Sequence, residues 1–172
     1  MFFELFPTVD YINVGQTTSK TVTNIMRRVG VRQAIKENLT VFTRHTIRSG
    51  ETPESIAFDF YGDAELHWII LLTNDIYDRY HQWPMNVNQF QAYVNEKYSD
   101  PFAVHHYEIT QTSGDTTIKI DIGQDNTDHG SATAVTNFEY EESRQDDLRQ
   151  IRLVDPAHVN QFVSDFARLM EE

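Results

Sequence analysis

The stretch Arg48–Asp75, RSGETPESIAFDFYGDAELHWIILLTND, leaves its backbone few choices. Ser49-Gly50 turns the chain. Thr52 is placed to cap a helix, with Pro53 at its first position, where a missing N–H costs nothing, and Glu54 favourable to the helix dipole. Ile56, Ala57 and Phe60 give that helix an apolar face, and Gly62 permits a left-handed stop. Asp63 caps a second helix. Leu66, Ile69, Ile70 and Thr73 line one side of it and Trp68, Leu71 and Leu72 another, so it is expected to be covered on both sides. Asn74 and Asp75 end it.

Periodicity organises the rest. Val41–Arg48 (VFTRHTIR) alternates as a strand, Val41, Thr43, His45 and Ile47 opposing Phe42, Arg44, Thr46 and Arg48. Tyr77–Met85 (YDRYHQWPM) is dense in aromatics. Asn86–Lys97 reads as a polar helix with Val87, Phe90, Tyr93 and Val94 on one side. Val104–Thr110 and Thr116–Ile122 form a hairpin about Ser113-Gly114-Asp115, with Ile118, Ile120 and Ile122 alternating against Lys119 and Asp121. Gly123–Thr136 is expected as an exposed polar loop, and Asn137–Asp147 as an acidic continuation of it. Leu148–Val154 (LRQIRLV) reads as a strand. Asp155-Pro156 then opens a helix through Met170, striped by Val159, Phe162, Val163, Phe166, Leu169 and Met170.

Ahead of the centre, Met1–Gly15 is apolar and aromatic, Gln16–Thr23 reads as a linker, and Asn24–Asn38 as a weak helix broken at Gly30. These boundaries give an arm at 1–40, a central module with its following helix at 41–98, a hairpin-and-acidic-loop insertion at 99–147, and a strand and helix at 148–172. The class is α+β.

Charge is divided along the chain. Tyr11–Gly50 holds seven basic residues and one acid, whereas residues 51–172 hold seven basic and 23 acidic residues. Such polarity suggests protein neighbours of opposite charge, including further copies of this chain. Nucleic acid is disfavoured, since the acidic remainder repels phosphate. The absence of cysteine excludes disulfides, thiolate metal sites and a cysteine nucleophile. No apolar run approaches the ~20 residues that span a bilayer, and MFFELFPTVDY lacks the form of a secretion signal. The expectation is a soluble protein without membrane contact, used without export.

Catalytic signatures are missing. The 26 acids permit accidental pairs such as Glu51/Asp59, but none lies in a glycosidase-like setting, and solvated charge is the simpler reading. No HExxH is present, and adjacent His105 and His106 are expected on opposite strand faces. Asp121, Asp125 and Asp128 with His129 and Gly130 lack EF-hand spacing. No Gly-x-Ser-x-Gly elbow supports a serine triad. Neither metal nor cofactor is expected.

Thr43–Asp75 resembles a LysM module. The likeness lies in Gly50-Glu51-Thr52, the Ser55-Ile56-Ala57 step, Tyr61-Gly62-Asp63 between the helices, Trp68-Ile69, and the closing Asn74. The resemblance implies a βαα(β) layout, and a sugar groove made by Gly50, Glu51, Thr52 and Pro53 with Asn74, Asp75, Ile76 and Tyr77. The same residues also cap helices and pack the module, which is the simpler role. A LysM module closes with a second strand after a Pro-Gly-Gln-type turn. Here IYDRYHQWPM follows instead, leaving Gln82–Met85 as the nearby place for that strand.

The apolar Met-Phe-Phe start, the basic arm, YGDAELHWIILLTNDIYDRYHQW and LRQIRLVDPAHVNQFVSDFARLMEE together resemble the LysM-bearing baseplate wedge proteins of contractile-tailed, T-even-like bacteriophages. Ser99–Asp147 adds little to the likeness. The resemblance implies a non-enzymatic virion subunit, assembled in the host cytoplasm. It would attach to other wedge proteins and join neighbouring wedges in a six-fold ring. The alternative is a peptidoglycan- or chitin-binding module of a tail lysin or hub component. Partner contacts are expected at Phe2, Phe3, Phe6 and Tyr11 in the arm, at Tyr77, Tyr80 and Trp83, and at Phe162 and Phe166 on the last helix. Both apolar termini are expected to be ordered by other polypeptides.

Overall fold

A computed structural model describes residues 2–15, 17–31, 41–114, 117–127 and 129–171. The chain divides into two compact units, one of Met1–Ile47, Glu51–Trp83 and Gln150–Glu172, the other of Arg48–Gly50 and Pro84–Arg149. It is an α+β protein.

In the first unit, a 3-10 turn at Phe2–Leu5 leads to strand β1 (Thr8–Tyr11), which pairs antiparallel with β2 (Lys20–Thr23). Strand β3 (Phe42–Thr46) precedes helix α1 (Pro53–Tyr61), a 3-10 turn at Ala64–Leu66, α2 (His67–Thr73) and the single turn α3 (Arg79–Gln82). The helix ends follow the sequence closely. The Ser55 N–H donates to Thr52 Oγ1 and the Thr52 N–H to Ser55 Oγ, a reciprocal capping box. Gly62 adopts φ 77° and its N–H meets Phe58 O at 2.9 Å. Asp63 accepts the Glu65 N–H.

The partner of β3 is β7 (Gln150–Val154), antiparallel, with Phe42 opposite Val154, Arg44 opposite Arg152 and Thr46 opposite Gln150. The closing strand thus comes from the far end of the chain. Gln82–Met85 includes the end of α3 and forms no strand. Helix α6 (Pro156–Glu171), announced by Asp155-Pro156, follows β7.

Two apolar clusters fill this unit. Phe42, Trp68, Ile69, Val154, Val159, Phe166 and Met170 form one; Ile47, Ile56, Ala57, Ile70, Ile151 and Leu153 form the other. Helix α2 feeds both, Trp68 and Ile69 into the first and Ile70 into the second, so it is covered on two sides as its sequence predicts. The apolar stripe of α6 is therefore core of its own chain. Leu5 and Phe6 of the arm pack there too. The expectation that both termini are ordered by other polypeptides is corrected on this point: Trp68 and Phe42 already supply the apolar surface that these side chains need to leave water.

The stretch expected as a linker also differs, because Lys20–Thr23 is strand β2. Of the weak helix expected at Asn24–Asn38, residues 24–31 are not helical and 32–38 lie outside the described residues.

In the second unit, α4 (Val87–Lys97) begins with a capping box between Asn86 and Gln89 and buries Phe90 and Val94. Strand β4 (Val104–Thr110) is flanked by β5 (Lys119–Asp121) and β6 (Thr133–Thr136), both antiparallel to it. The expected hairpin is present, although Asp115 and Thr116 in its turn lie outside the described residues. The expected polar loop contributes β6. The acidic segment is a helix, α5 (Asn137–Arg149), not a loop. Its start is fixed by Thr136 and Glu139: the Thr136 N–H donates to Glu139 Oε2 at 2.8 Å, and the Glu139 N–H to Thr136 Oγ1 at 3.2 Å. Phe138 lies 5.3 Å from Phe90, edge to face.

Candidate docking surfaces

The β1–β2 register places Val9 opposite Val22 and Tyr11 opposite Lys20 on one face, and Thr8 opposite Thr23 and Asp10 opposite Thr21 on the other. The second face is polar, with Thr21 Oγ1 donating to Asp10 Oδ1 at 2.7 Å. The first is apolar yet open to water: Val9 is 46% and Tyr11 55% exposed. Ile12, Val14, Ile25 and Met26 extend this exposed apolar surface around the hairpin. The Asn24 N–H donates to Pro7 O at 2.8 Å, so the hairpin leaves and re-enters the unit at adjoining points.

Phe3 is exposed. Its ring lies 5.6 Å from that of Phe6, which is half-buried and meets Phe166 edge-on at 6.5 Å. The side chain of Phe2 is outside the described residues. Phe166 is only 5% exposed, its ring tilted at 47° against that of Trp68 with centroids 4.6 Å apart, so almost none of its surface remains to offer a partner. Phe162 is half-buried, 6.1 Å from Trp68. An apolar groove of about 670 Å³ runs beside Phe162 and Leu169, between α6 and Arg28–Val31.

Tyr77 and Tyr80 stand almost fully in water. Helix α3, which carries Tyr80, is anchored by Arg79, whose two guanidinium nitrogens reach the Glu54 carboxylate, Nη2 to Oε2 at 3.0 Å. Burial alone would raise the Glu54 pKa; its own backbone N–H and the Arg79 guanidinium outweigh that and hold it below the ordinary value. Trp83 is half-buried against the Ile56–Ile70 cluster, its indole N–H donating to Glu51 O at 2.9 Å, so it is mainly a packing residue.

The residues that a sugar groove would use are mostly engaged. Thr52 caps α1, Pro53 is buried, and the Glu51 carboxylate lies 3.2 Å from His45 Nε2. The Asn74 carboxamide donates to Ile70 O and Arg152 O, each at 2.8 Å, and accepts the Arg152 N–H at 2.8 Å. Asp75 adopts φ 56° and accepts from the Tyr77 hydroxyl. Gly50 is exposed at φ 87° and Ile76 is half-buried.

Sequence reasoning passed over two features and misplaced a third. Tyr61, at the end of α1, accepts the Val154 N–H at 3.0 Å, and burial pushes its pKa up to about 12. In the second unit, the Glu141 carboxylate is 2% exposed and receives Lys97 Nζ at 2.7 Å and the Tyr98 hydroxyl at 2.8 Å. Its burial opposes charge, but these two donors prevail and its pKa is lowered, while the carboxylate raises that of Lys97. Third, His105 Nδ1 and His106 Nδ1 are 2.9 Å apart, with His105 stacked on Tyr140 at 3.9 Å. The expected opposition of the two histidines fails because β4 is irregular between Val104 and His106, which breaks strict alternation. Among the described residues no cluster of three His, Asp or Glu side chains has the arrangement of a metal site. Asp128, considered with Asp121 and Asp125 for calcium, lies outside them.

Exposed apolar surfaces of this kind are characteristic of contact with other molecules. A family model described as base plate wedge protein 53 matches residues 1–108, more than half of the 172-residue chain. The whole chain is 26% identical to baseplate wedge protein gp53 of Enterobacteria phage T4, covering 97% of that protein. A 37-residue stretch, 22% of the chain, is 49% identical to part of an esterase of Mycobacterium tuberculosis but covers 8% of it, too little to bring an activity with it. This chain belongs to the base plate wedge protein 53 family and is a structural, non-enzymatic component of the phage virion, located in the tail baseplate among other baseplate proteins.

Proposed function

We propose that this subunit docks on proteins of the wedge core and helps to join adjacent wedges into a six-fold ring, using its N-terminal hairpin as the principal contact. The observation carrying this reading is the exposed apolar face of β1–β2, with Val9 and Tyr11 side by side in register with Val22 and Lys20. An isolated two-stranded hairpin is marginal in water, and covering its apolar face against a partner supplies the missing stabilisation. Phe3, Tyr77 and Tyr80 are further aromatic anchors of the kind that dominate interfaces. Basic residues of the arm meeting acidic neighbours set orientation more than strength.

In this reading β3, α1, α2 and β7 form a LysM-like block whose closing strand follows a long insertion. Its role is to hold the hairpin and α3 at a fixed spacing, not to bind sugar. Thr52, Pro53 and Asn74 support this, being committed to capping, packing and strand contact.

The test excises the hairpin alone. Pro7 and Asn24 are already hydrogen-bonded, so residues 8–23 are replaced by two glycines. The expected product is a folded monomer that fails to enter baseplates when supplied with the other wedge proteins. Normal incorporation of this variant would refute the assignment. Retention of the intact chain on purified peptidoglycan at micromolar concentration would instead favour a glycan-binding role.

A further inference from the structure

The sheet of the second unit has two unlike faces. Opposed residues of an antiparallel pair share a face, and the face alternates along each strand. Ile109 lies opposite Ile120 and Tyr107 opposite Ala134. The Gln111 N–H donates to Ile118 O at 3.0 Å, which continues the pairing and puts Ile118 on the same side. The other side carries Glu108 opposite Asp121, Thr110 opposite Lys119, and His106 opposite Val135. Helix α5 lies on that second side, where Tyr140 meets the buried His106 edge-on at 5.9 Å.

The first side is apolar and open. Ile118 is 49% and Ile120 42% exposed, Ala134 is exposed, and Tyr107 and Ile109 are half-buried. Among the described residues of this unit the buried apolar side chains are Phe90 and Val94 of α4, so the sheet gives none of its isoleucines to a core. An apolar sheet face is ordinarily covered by a second layer. Asp115 and Thr116 in the β4–β5 turn, and Asp128 beyond β5, lie outside the described residues. Two residues or one, held at both ends by described chain, are too short to be laid across three strands, and all three are polar.

We propose that this face of the β5–β4–β6 sheet is a second docking surface, occupied by an amphipathic helix of another baseplate protein whose aliphatic stripe is flanked by lysine or arginine. Size selects a helix. Three strands about 4.8 Å apart and about five residues deep give a face of roughly 14 by 17 Å. That matches about three turns of one helix, but it is well short of the about 800 Å² per partner of a standard interface. Two copies meeting through this face alone would therefore not hold together, whereas a subunit also held at its hairpin needs only a small further contact. Charge selects the flanks. Residues 99–136 hold six acids and one basic residue, Lys119, and Lys119 lies on the opposite face, its Nζ donating to Thr110 Oγ1 at 3.1 Å. This balance favours a basic partner and disfavours a second copy, which would bring the same acids together.

The inference takes its occupant from the docking role proposed above, and the experiment tells the two apart. The chain holds no cysteine, so a single thiol can be introduced into the full-length protein. Ile120→Cys reports on the apolar face, Thr110→Cys on the opposite face and Tyr11→Cys on the hairpin. Alkylation by a maleimide is followed in the free chain and in assembled baseplates. Ile120→Cys is expected to react readily in the free chain and about 10-fold or more slower in the baseplate, with little change for Thr110→Cys. A photoreactive benzoylphenylalanine in place of Ile118 is expected to cross-link to a helical, lysine- or arginine-flanked segment of another baseplate protein. A thiol at position 120 that is shielded already in the free chain, or that reacts at the free rate in baseplates containing it, overturns the proposal; docking through the hairpin still stands if Tyr11→Cys is shielded there. Equal slowing of Thr110→Cys overturns the choice of face. A cross-link to a second copy of this chain, or to an acidic segment, overturns the occupant. Absence of the wild-type chain from baseplates overturns both readings.

Discussion

The carboxamide of Asn74 pairs with both main-chain polar groups of Arg152, at 2.8 Å each, across a sequence separation of 78 residues. It does for β7 what a neighbouring strand would do, while also closing α2 through Ile70 O. Asn74→Ala removes these three hydrogen bonds, at a net of about 1 kcal/mol each and moderated because Arg152 is open to water, together with a longer one of 3.4 Å to Thr73 Oγ1. A loss of about 1–3 kcal/mol in denaturant unfolding is expected. Asn74→Asp keeps the acceptor but sets a carboxylate against two carbonyl oxygens, and is expected to be no better than the alanine variant.

Tyr61 gives a spectroscopic check on the other closure of β7. With its pKa raised to about 12, its contribution is fully present below the ordinary value of 10.0 and is lost as pH rises through about 12. Ultraviolet titration of phenolate is expected to show one late-titrating tyrosine that disappears in Tyr61→Phe. The same substitution leaves the buried Val154 N–H without its acceptor, and is expected to cost about 1–3 kcal/mol.

Glu141 sets the acid response of the second unit. Its folded pKa is lowered from 4.5, so its stabilisation is present above the unfolded value and is lost as pH falls below about that point through the folded value. Glu141→Gln is expected to destabilise the second unit by about 1–3 kcal/mol at neutral pH, and to flatten stability against pH below 4.5. Thermal unfolding at stepped pH measures both.

Packing and docking residues are expected to separate cleanly. Phe166→Ala empties a place beside Trp68 and Phe6 and is expected to cost about 3–5 kcal/mol. Tyr80→Ala lies in water and is expected to change stability by no more than about 0.5 kcal/mol, yet to weaken entry into the baseplate. Unfolding curves and incorporation assays on the two variants make the comparison.

Local signals were the legible ones. Thr52, Pro53, Gly62 and Asp155-Pro156 each act over a turn of chain, and the helices begin or end where those residues say. Helix α5 was missed because its thirteen residues have no apolar period, although Thr136-x-x-Glu139 is a capping-box pattern readable in the sequence. Its buried face is polar, Glu141 and Gln145, and is intelligible only with Lys97 and Tyr98 in place. The partner of β3 could not be read locally either, since nothing near Thr46 points to Gln150. Of the residues expected to meet partners, Phe3, Tyr11, Tyr77 and Tyr80 are exposed. Phe166 was misjudged because an apolar stripe does not say which polypeptide covers it.

The β3–β7 pairing carries a consequence for biosynthesis. A ribosome releases Phe42 more than a hundred residues before Val154, and the sheet cannot close until the later strand has emerged. Until then Ile56, Ala57 and Ile70 lack Ile151 and Leu153 to lie against, while Pro84–Arg149 already holds all its own strand pairs. A nascent chain of which only the part before Gln150 has emerged is thus expected to show a structured Pro84–Arg149 segment preceded by sticky, chaperone-seeking sequence, with native closure delayed to the end of translation.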